Sequence, residues 1–251
     1  MELSELPKKL VIIGAGYIGL EFAGMFNKFG SKVTILEPHS TFLPKEDDDI
    51  SREIFKDLKA SGVEIHLGVK VEKITDSEVL AGGQTYSADK ILVATGRRPN
   101  ITDLNLEKAG VELSESGYIK VDDDLKTSTE NIWALGDVRG GGQFYYLSTD
   151  DFRIVNNQLF GDHSRKLSDR TLVPYSVFIS PTLSRIGLDE KTKRKKLGLI
   201  IVYLRWLRHQ LLSPKLFKIL AEFLKLLLTQ KQMKFSVQLY IMKILMRSSI
   251  L

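Results

Sequence analysis

The 251-residue sequence contains no cysteine. This excludes a structural disulfide, a cysteine zinc site and any thiol redox couple carried by the chain itself. No secretory pattern stands at the front: the apolar run 10–13 is short and leads straight into a glycine-rich turn. A cytoplasmic location is therefore expected. Acids and glycines are unevenly spread. Of the 36 basic and 31 acidic residues, nine and one fall in 199–251, leaving 27 and 30 in 1–198. All 19 glycines lie in that first part. The net charge of +5 and the basic pI thus come from the tail, and give no warrant for nucleic-acid binding by the body. The tail has no uncharged run of about 20 residues, so no transmembrane span is expected there.

What is present alternates strand and helix patterns. Residues 10–13 form a short apolar run, a buried-strand pattern. Residues 20–29 read as a helix closed by Gly30. Residues 32–37 make a second strand. Residues 47–60 make a second helix, with Ile50, Ile54, Phe55 and Leu58 on one face. Strands follow at 63–67 and 69–74, a hairpin at 79–88 around Gly82-Gly83, and a buried strand at 90–94. Further on, 118–121 and 131–135 read as strands, 150–159 as a helix and 174–178 as a strand. The pattern predicts an α/β fold with a mainly parallel sheet.

Three motifs carry chemistry. Gly14-Ala15-Gly16-Tyr17-Ile18-Gly19 follows a strand and opens a helix. In that context Gly14 permits the tight turn, Gly16 lets backbone approach a pyrophosphate, and Gly19 lets helix and strand pack closely. The helix N-terminus then offers free N–H groups to phosphate. Glu37 ends the second strand, where an acid accepts ribose hydroxyls. It would repel a 2′-phosphate and no arginine follows at once, so NAD(H) is expected over NADP(H). Ala94-Thr95-Gly96-Arg97-Arg98-Pro99 closes a buried strand; Gly96 suits close ligand approach, and the arginines face either phosphate or water. Ile132 to Asp137 is an apolar strand ending in Gly136-Asp137, which reads either as a plain turn or as an acid placed to bind ligand hydroxyls.

Together these pieces resemble the class I pyridine nucleotide–disulfide oxidoreductases, the flavoproteins of the lipoamide dehydrogenase and mercuric reductase type. GAGYIGLE is similar to their NAD fingerprint, ATGRRPN to a mid-chain linker, and TSTENIWALGDV to their second flavin motif. FGSKVTILE, NIWALGDVRGGGQF, TDDFRIV and VPYSVFISPTLSRIG resemble most closely a reactive-chlorine-resistance branch with copper(II) reductase activity. The likeness covers roughly 6–198. It implies a Rossmann-like three-layer NAD(H)-binding domain over 1–97 and the C-terminal segment of an FAD-binding domain over 98–168. The start of an α+β dimerisation domain follows over 169–198.

The resemblance also implies roles. Gly14, Gly16, Tyr17, Ile18, Gly19 and Glu37 hold NAD(H), and the ring of Tyr17 resembles a gate over the flavin. Glu21 matches an acid that pairs with a lysine beside the flavin; an ordinary acid favoured by the helix dipole is the alternative. Gly96 and Gly136 are cofactor-binding positions, and Asp137 lies on the ribityl chain of FAD, with a backbone N–H near Ser148 facing the ring system. The family's activity is hydride transfer from NADH to FAD and on to a disulfide or metal acceptor, in a homodimer. Its first flavin unit, with a second GxGxxG and a C-x4-C pair, does not occur in these 251 residues. A chain truncated at its N-terminus is therefore expected, binding NAD(H) without turnover or completed by a separate flavin domain.

The resemblance stops at residue 198. One reading of 199–251 is a basic amphipathic, membrane-surface segment. The other is a shifted reading frame: back-translated and read one nucleotide earlier, LLLTQKQMKFSVQLYIMK becomes AIVDTKTDEILGATLYNE, in the style of the family's interface domain. The strand at 174–179 is then expected to lose its partners.

Overall fold

A computed structural model describes residues 3–170, 172–187, 189 and 237–240. Its centre is a four-stranded, all-parallel sheet in the order β3-β2-β1-β7, formed by β1 (Lys9–Ile13), β2 (Lys32–Glu37), β3 (Glu64–Leu67) and β7 (Lys90–Val93). Side chains alternate across a strand, which splits the core in two. Leu10 and Ile12 of β1, with Val33 and Ile35 of β2, face helices α1 (Tyr17–Lys28) and α2 (Asp48–Ala60). Val11, Ile13 and Leu36 face the other way, onto Val79, Ala81 and Ala88 of a meander. That meander is β4 (Val71–Ile74), β5 (Glu78–Ala81) and β6 (Gln84–Ser87), paired antiparallel. Helices, parallel sheet and meander form three layers, in keeping with the expected α/β fold class.

The helices form where the apolar spacing puts them. α1 buries Gly19, Leu20, Ala23 and Phe26 along one stripe. It begins three residues earlier than the sequence pattern indicated, because the last glycine of the motif lies inside its first turn. It ends where Gly30 adopts φ +102° and Ser31 N–H returns to Phe26 O. α2 buries Ile54 and Leu58, with Ile50 and Phe55 packed beside them. Each such side chain contributes about 1.5–3 kcal/mol when fully buried.

Residues 98–140 are built differently from the sequence expectation. The strands read at 118–121 and 131–135 reduce to two isolated bridges, Leu113 with Ile119 and Lys126 with Trp133. Leu125 (φ 64°) and Asn131 (φ 62°) break the extended backbone. Turn bonds take over instead, among them Thr127 N–H to Ile132 O and Ala134 N–H to Leu125 O. Val111, Ile119 and Ala134 still form a small core of their own. Helix α3 (Tyr145–Phe160) starts five residues before its expected position, with two tyrosines in its first turn.

The strand expected at 174–178 is β8 (Tyr175–Val177), and it keeps a partner. It pairs antiparallel with β9 (Leu183–Ile186), which pairs with β10 (Val237–Tyr240). The rest of the 199–251 expectation lies outside the described residues. Among the described residues no helix is long and apolar enough to cross a membrane.

Candidate cofactor-binding site

The glycine-rich turn joins β1 to α1, and each glycine has a separate structural reason. Gly14 has φ +104°, and a Cβ there would lie 2.5 Å from Ala94 O at the end of β7. Its own N–H reaches Leu36 O at 2.8 Å, tying the turn to β2. A Cβ on Gly19 would be driven into the carbonyl oxygen of Gly14. Gly16 is different: its Cβ would meet nothing within 4 Å. Packing does not require glycine at that position, and the backbone there is open. Gly96 (φ +122°), at the neighbouring end of β7, also opens onto free space. Ile18, 45 % exposed, lies beside the opening.

Glu37 borders the turn at the carboxyl end of β2 and is nearly buried. Its Oε2 accepts Ala15 N–H at 2.7 Å and its Oε1 accepts His39 N–H at 3.0 Å. Each carboxylate oxygen has two acceptor directions, so capacity remains for ligand hydroxyls. The residues present therefore fit a dinucleotide: open backbone at Gly16, a helix N-terminus, and an anchored acid one strand away.

Tyr17, the first residue of α1, turns toward β8. Its hydroxyl donates to Glu46 Oε1 and lies 3.2 Å from the Tyr175 hydroxyl. Tyr175 donates to the same Glu46 oxygen at 2.6 Å. The Tyr17 and Tyr175 rings stand 5.6 Å apart, and Phe144 stacks on Tyr175 at 5.3 Å. Burial, then the bonds to Glu46 and Tyr175, hold the Tyr17 phenol far above its ordinary ionisation range. Arg185 of β9 lies 3.5 Å from Glu46 Oε2 and donates to Lys45 O at 2.9 Å. Glu21, one turn along α1 from Tyr17, accepts Phe178 N–H at 2.8 Å.

A second cluster surrounds Gly136 and Asp137. Gly136 (φ +76°) starts a 3-10 turn over Gly136–Arg139. A Cβ there would lie 3.1 Å from Ser148 Oγ. The turn is held by Asp151, fully buried, which accepts Gly136 N–H at 2.7 Å and pairs with Arg139 at 2.6 Å and with Arg170. Asp137 itself is half-buried and pairs with Arg97 at 2.9 Å, while Arg97 also donates to Gln143 O. Arg97 thus faces a carboxylate, neither of the two partners expected. The Ser148 N–H donates to Phe144 O inside α3. The N–H groups without an intrahelical partner belong to the helix start, at Tyr145 and Tyr146.

Three residues with structural weight escaped the sequence reading. Asp151 was legible: Leu147, Asp151, Ile154 and Gln158 share the buried stripe of α3, so a carboxylate there must be paired. Glu46 precedes Asp47, Asp48 and Asp49, and nothing in that acidic run singles it out. Arg185 offered no signal either.

The parallel sheet, the two helices on one face and the glycine turn define an α/β unit of the Rossmann type. The family profile described as pyridine nucleotide-disulphide oxidoreductase matches residues 1–151, and the chain belongs to that family. It is 49 % identical over 199 residues to the probable pyridine nucleotide-disulfide oxidoreductase RclA of Escherichia coli (strain K12), covering 78 % of this chain and 45 % of that protein. A dihydrolipoyl dehydrogenase of Bacillus subtilis (strain 168) is 36 % identical over 204 residues, covering 79 % and 44 %. The solved HOCl-induced flavoprotein disulfide reductase RclA from Escherichia coli superposes with a TM-score of 0.72 at 48 % identity, over 77 % of this chain and 45 % of that one. The chain therefore spans less than half the length of these relatives.

Proposed function

We propose that this chain is the nucleotide-binding part of an NADH-dependent flavoprotein oxidoreductase, and that it binds NAD(H) in the cradle formed by Gly14, Gly16, Tyr17, Ile18, Gly19 and Glu37. The observation that carries this reading is the pairing of open backbone at Gly16 with the Glu37 carboxylate anchored to Ala15. Pyrophosphate meets the N–H groups at the start of α1, where the helix dipole favours negative charge. Glu37 accepts the adenosine ribose hydroxyls and disfavours a 2′-phosphate, which selects NADH over NADPH. Isothermal titration tests this directly: Glu37→Ala is expected to weaken NADH by on the order of tenfold, the loss of one charge-assisted hydrogen bond. Unchanged affinity would contradict the ribose assignment.

In the complete protein, FAD supplies the electron relay between nicotinamide and the final acceptor. Asp137 would hold its ribityl hydroxyls, presented by the Gly136 turn against Ser148. Arg97 must release Asp137 for that contact to form. Glu21, seated against Phe178, is assigned to the flavin side of α1, orienting a partner group there. The acceptor is a disulfide or a metal ion, the assembly a homodimer, and the compartment the cytoplasm. Because Tyr145 is 89 % exposed and Asp137 is partly open to solvent, the flavin side is open to a complementing domain on a separate polypeptide. Co-purification of yellow colour with such a partner tests this.

A further inference from the structure

Glu46 is the most deeply buried acid beside the cradle, its side chain fully enclosed. A carboxylate in that position costs free energy unless its oxygens are well partnered, and packing alone would be served by an apolar residue. The cluster around it joins three separate parts of the chain. Tyr17 belongs to the first turn of α1, Lys45 and Glu46 to the loop before α2, and Tyr175 and Arg185 to the β8–β9 hairpin. The hairpin is itself seated in the main core through Val177, Ile179 and Leu183, packed with Leu20 and Ala23. It also reaches α1 a second time, through Phe178 N–H to Glu21. Tyr17 and Glu21 are four residues apart, so both ties grip one face of the helix at successive turns. Apolar packing fixes how close the hairpin lies. The two polar ties fix the rotation of α1 about its axis, because hydrogen bonds are directional.

That rotation matters at the cradle. The N–H groups of the first helical turn lack intrahelical partners and form the anion-binding end. The first bond inside the helix, Leu20 N–H to Gly16 O at 3.0 Å, closes directly behind them. We propose that Glu46 is a positioning residue: by joining Tyr17 to Tyr175 and Arg185, it makes the β8–β9 hairpin a clamp that holds the first turn of α1 in its ligand-ready orientation. The clamp stands on this geometry; only the identity of the ligand rests on the dinucleotide reading.

The test uses the full chain, NADH as the probe, and hydrogen exchange of the peptide covering α1. Glu46→Ala is expected to weaken NADH by on the order of tenfold and to speed exchange at the Leu20 to Phe22 amides, leaving β1 and β2 as protected as before. Glu46→Gln, whose amide oxygen still accepts both phenols while its NH2 replaces the oxygen facing Arg185, is expected to recover part of the affinity and protection. Tyr175→Phe, which keeps the ring, is expected to fall between them. Should Glu46→Ala fail to fold by its urea transition, Tyr175→Phe and Glu46→Gln decide the matter. Wild-type exchange and affinity in Tyr175→Phe would overturn the clamp, as would a Gln variant no better than Ala. If the wild-type chain bound no NADH, the dinucleotide reading would fail, while the exchange comparison would still decide the clamp.

Discussion

Glu37 accepts the backbone N–H of Ala15 at 2.7 Å, across 22 positions of sequence. The bond ties the acid that ends β2 to the turn that ends β1. The two strands are parallel neighbours, in register from Lys9 with Lys32 to Ile13 with Leu36. The acid and the glycine-rich turn therefore come together at the same carboxyl edge of the sheet, where open α/β sheets bind their ligands. The sheet sets the geometry, and this one hydrogen bond fixes the turn against it.

Two glycine substitutions separate fold from ligand binding. Gly19→Ala forces a methyl group into the Gly14 carbonyl and is expected to lower the unfolding free energy measured in urea by about 1–3 kcal/mol, the range of overpacked cores. Gly16→Ala, whose Cβ meets nothing within 4 Å, is expected to lower that free energy by no more than about 1 kcal/mol, the effect of a poorer N-cap, yet to weaken NADH binding by on the order of tenfold. Equal loss of stability in both variants would contradict the separate roles.

Asp151→Ala leaves Arg139 and Arg170 without their buried carboxylate and frees Gly136 N–H. Breaking a buried pair in this way costs about 3–5 kcal/mol. Chemical denaturation should show that loss, together with faster proteolysis near residue 136. A loss under about 1 kcal/mol, the level of an exposed ion pair, would mean that the network does not hold the turn.

Stability should depend on pH at the alkaline end. Burial, then the hydrogen bonds to Glu46 and Tyr175, raise the Tyr17 phenol, and burial followed by Glu46 raises Tyr175. In the unfolded chain both ionise near pH ~10. Their contribution is thus whole below about pH 10 and is lost as pH rises above it, since the unfolded state releases protons that the folded state keeps. The melting temperature of the wild type should fall more steeply between about pH 10 and 11 than that of Tyr17→Phe. Parallel profiles would exclude a stabilising neutral phenol.

At the acid end Asp150 acts in the opposite sense. Burial pushes its carboxyl up, but the bonds to Arg170 and Arg165 outweigh this and leave it below the ordinary range. Its contribution is present above about pH 4 and is lost as pH falls through the lowered value. Asp150→Asn should flatten the acid limb of a stability profile measured by urea denaturation. An unchanged limb would show that the pairing of Asp150 with these arginines contributes nothing to folding.

The sheet and both flanking helices were legible because their signals are local: a short apolar run in β1, a stripe at helical spacing in α2, and glycines where backbone must turn. Residues 118–135 were misread because Leu125 and Asn131 take positive φ, which no apolar pattern announces. The Gly14–Glu37 half of the site was legible because motif and strand end carry it. The Glu46 cluster was not, since its bonds join residues 129 and 158 positions apart. Arg97 illustrates the same limit: its partner Asp137 lies 40 positions away.

The most direct test of the central claim is calorimetric titration of the purified chain with NADH and, separately, NADPH. The expected result is one NADH site per chain, with NADPH weaker by on the order of tenfold or more, because Glu37 meets the 2′-phosphate with like charge. No heat of binding with either dinucleotide, from a chain shown to be folded, would contradict the assignment of the Gly14–Glu37 cradle.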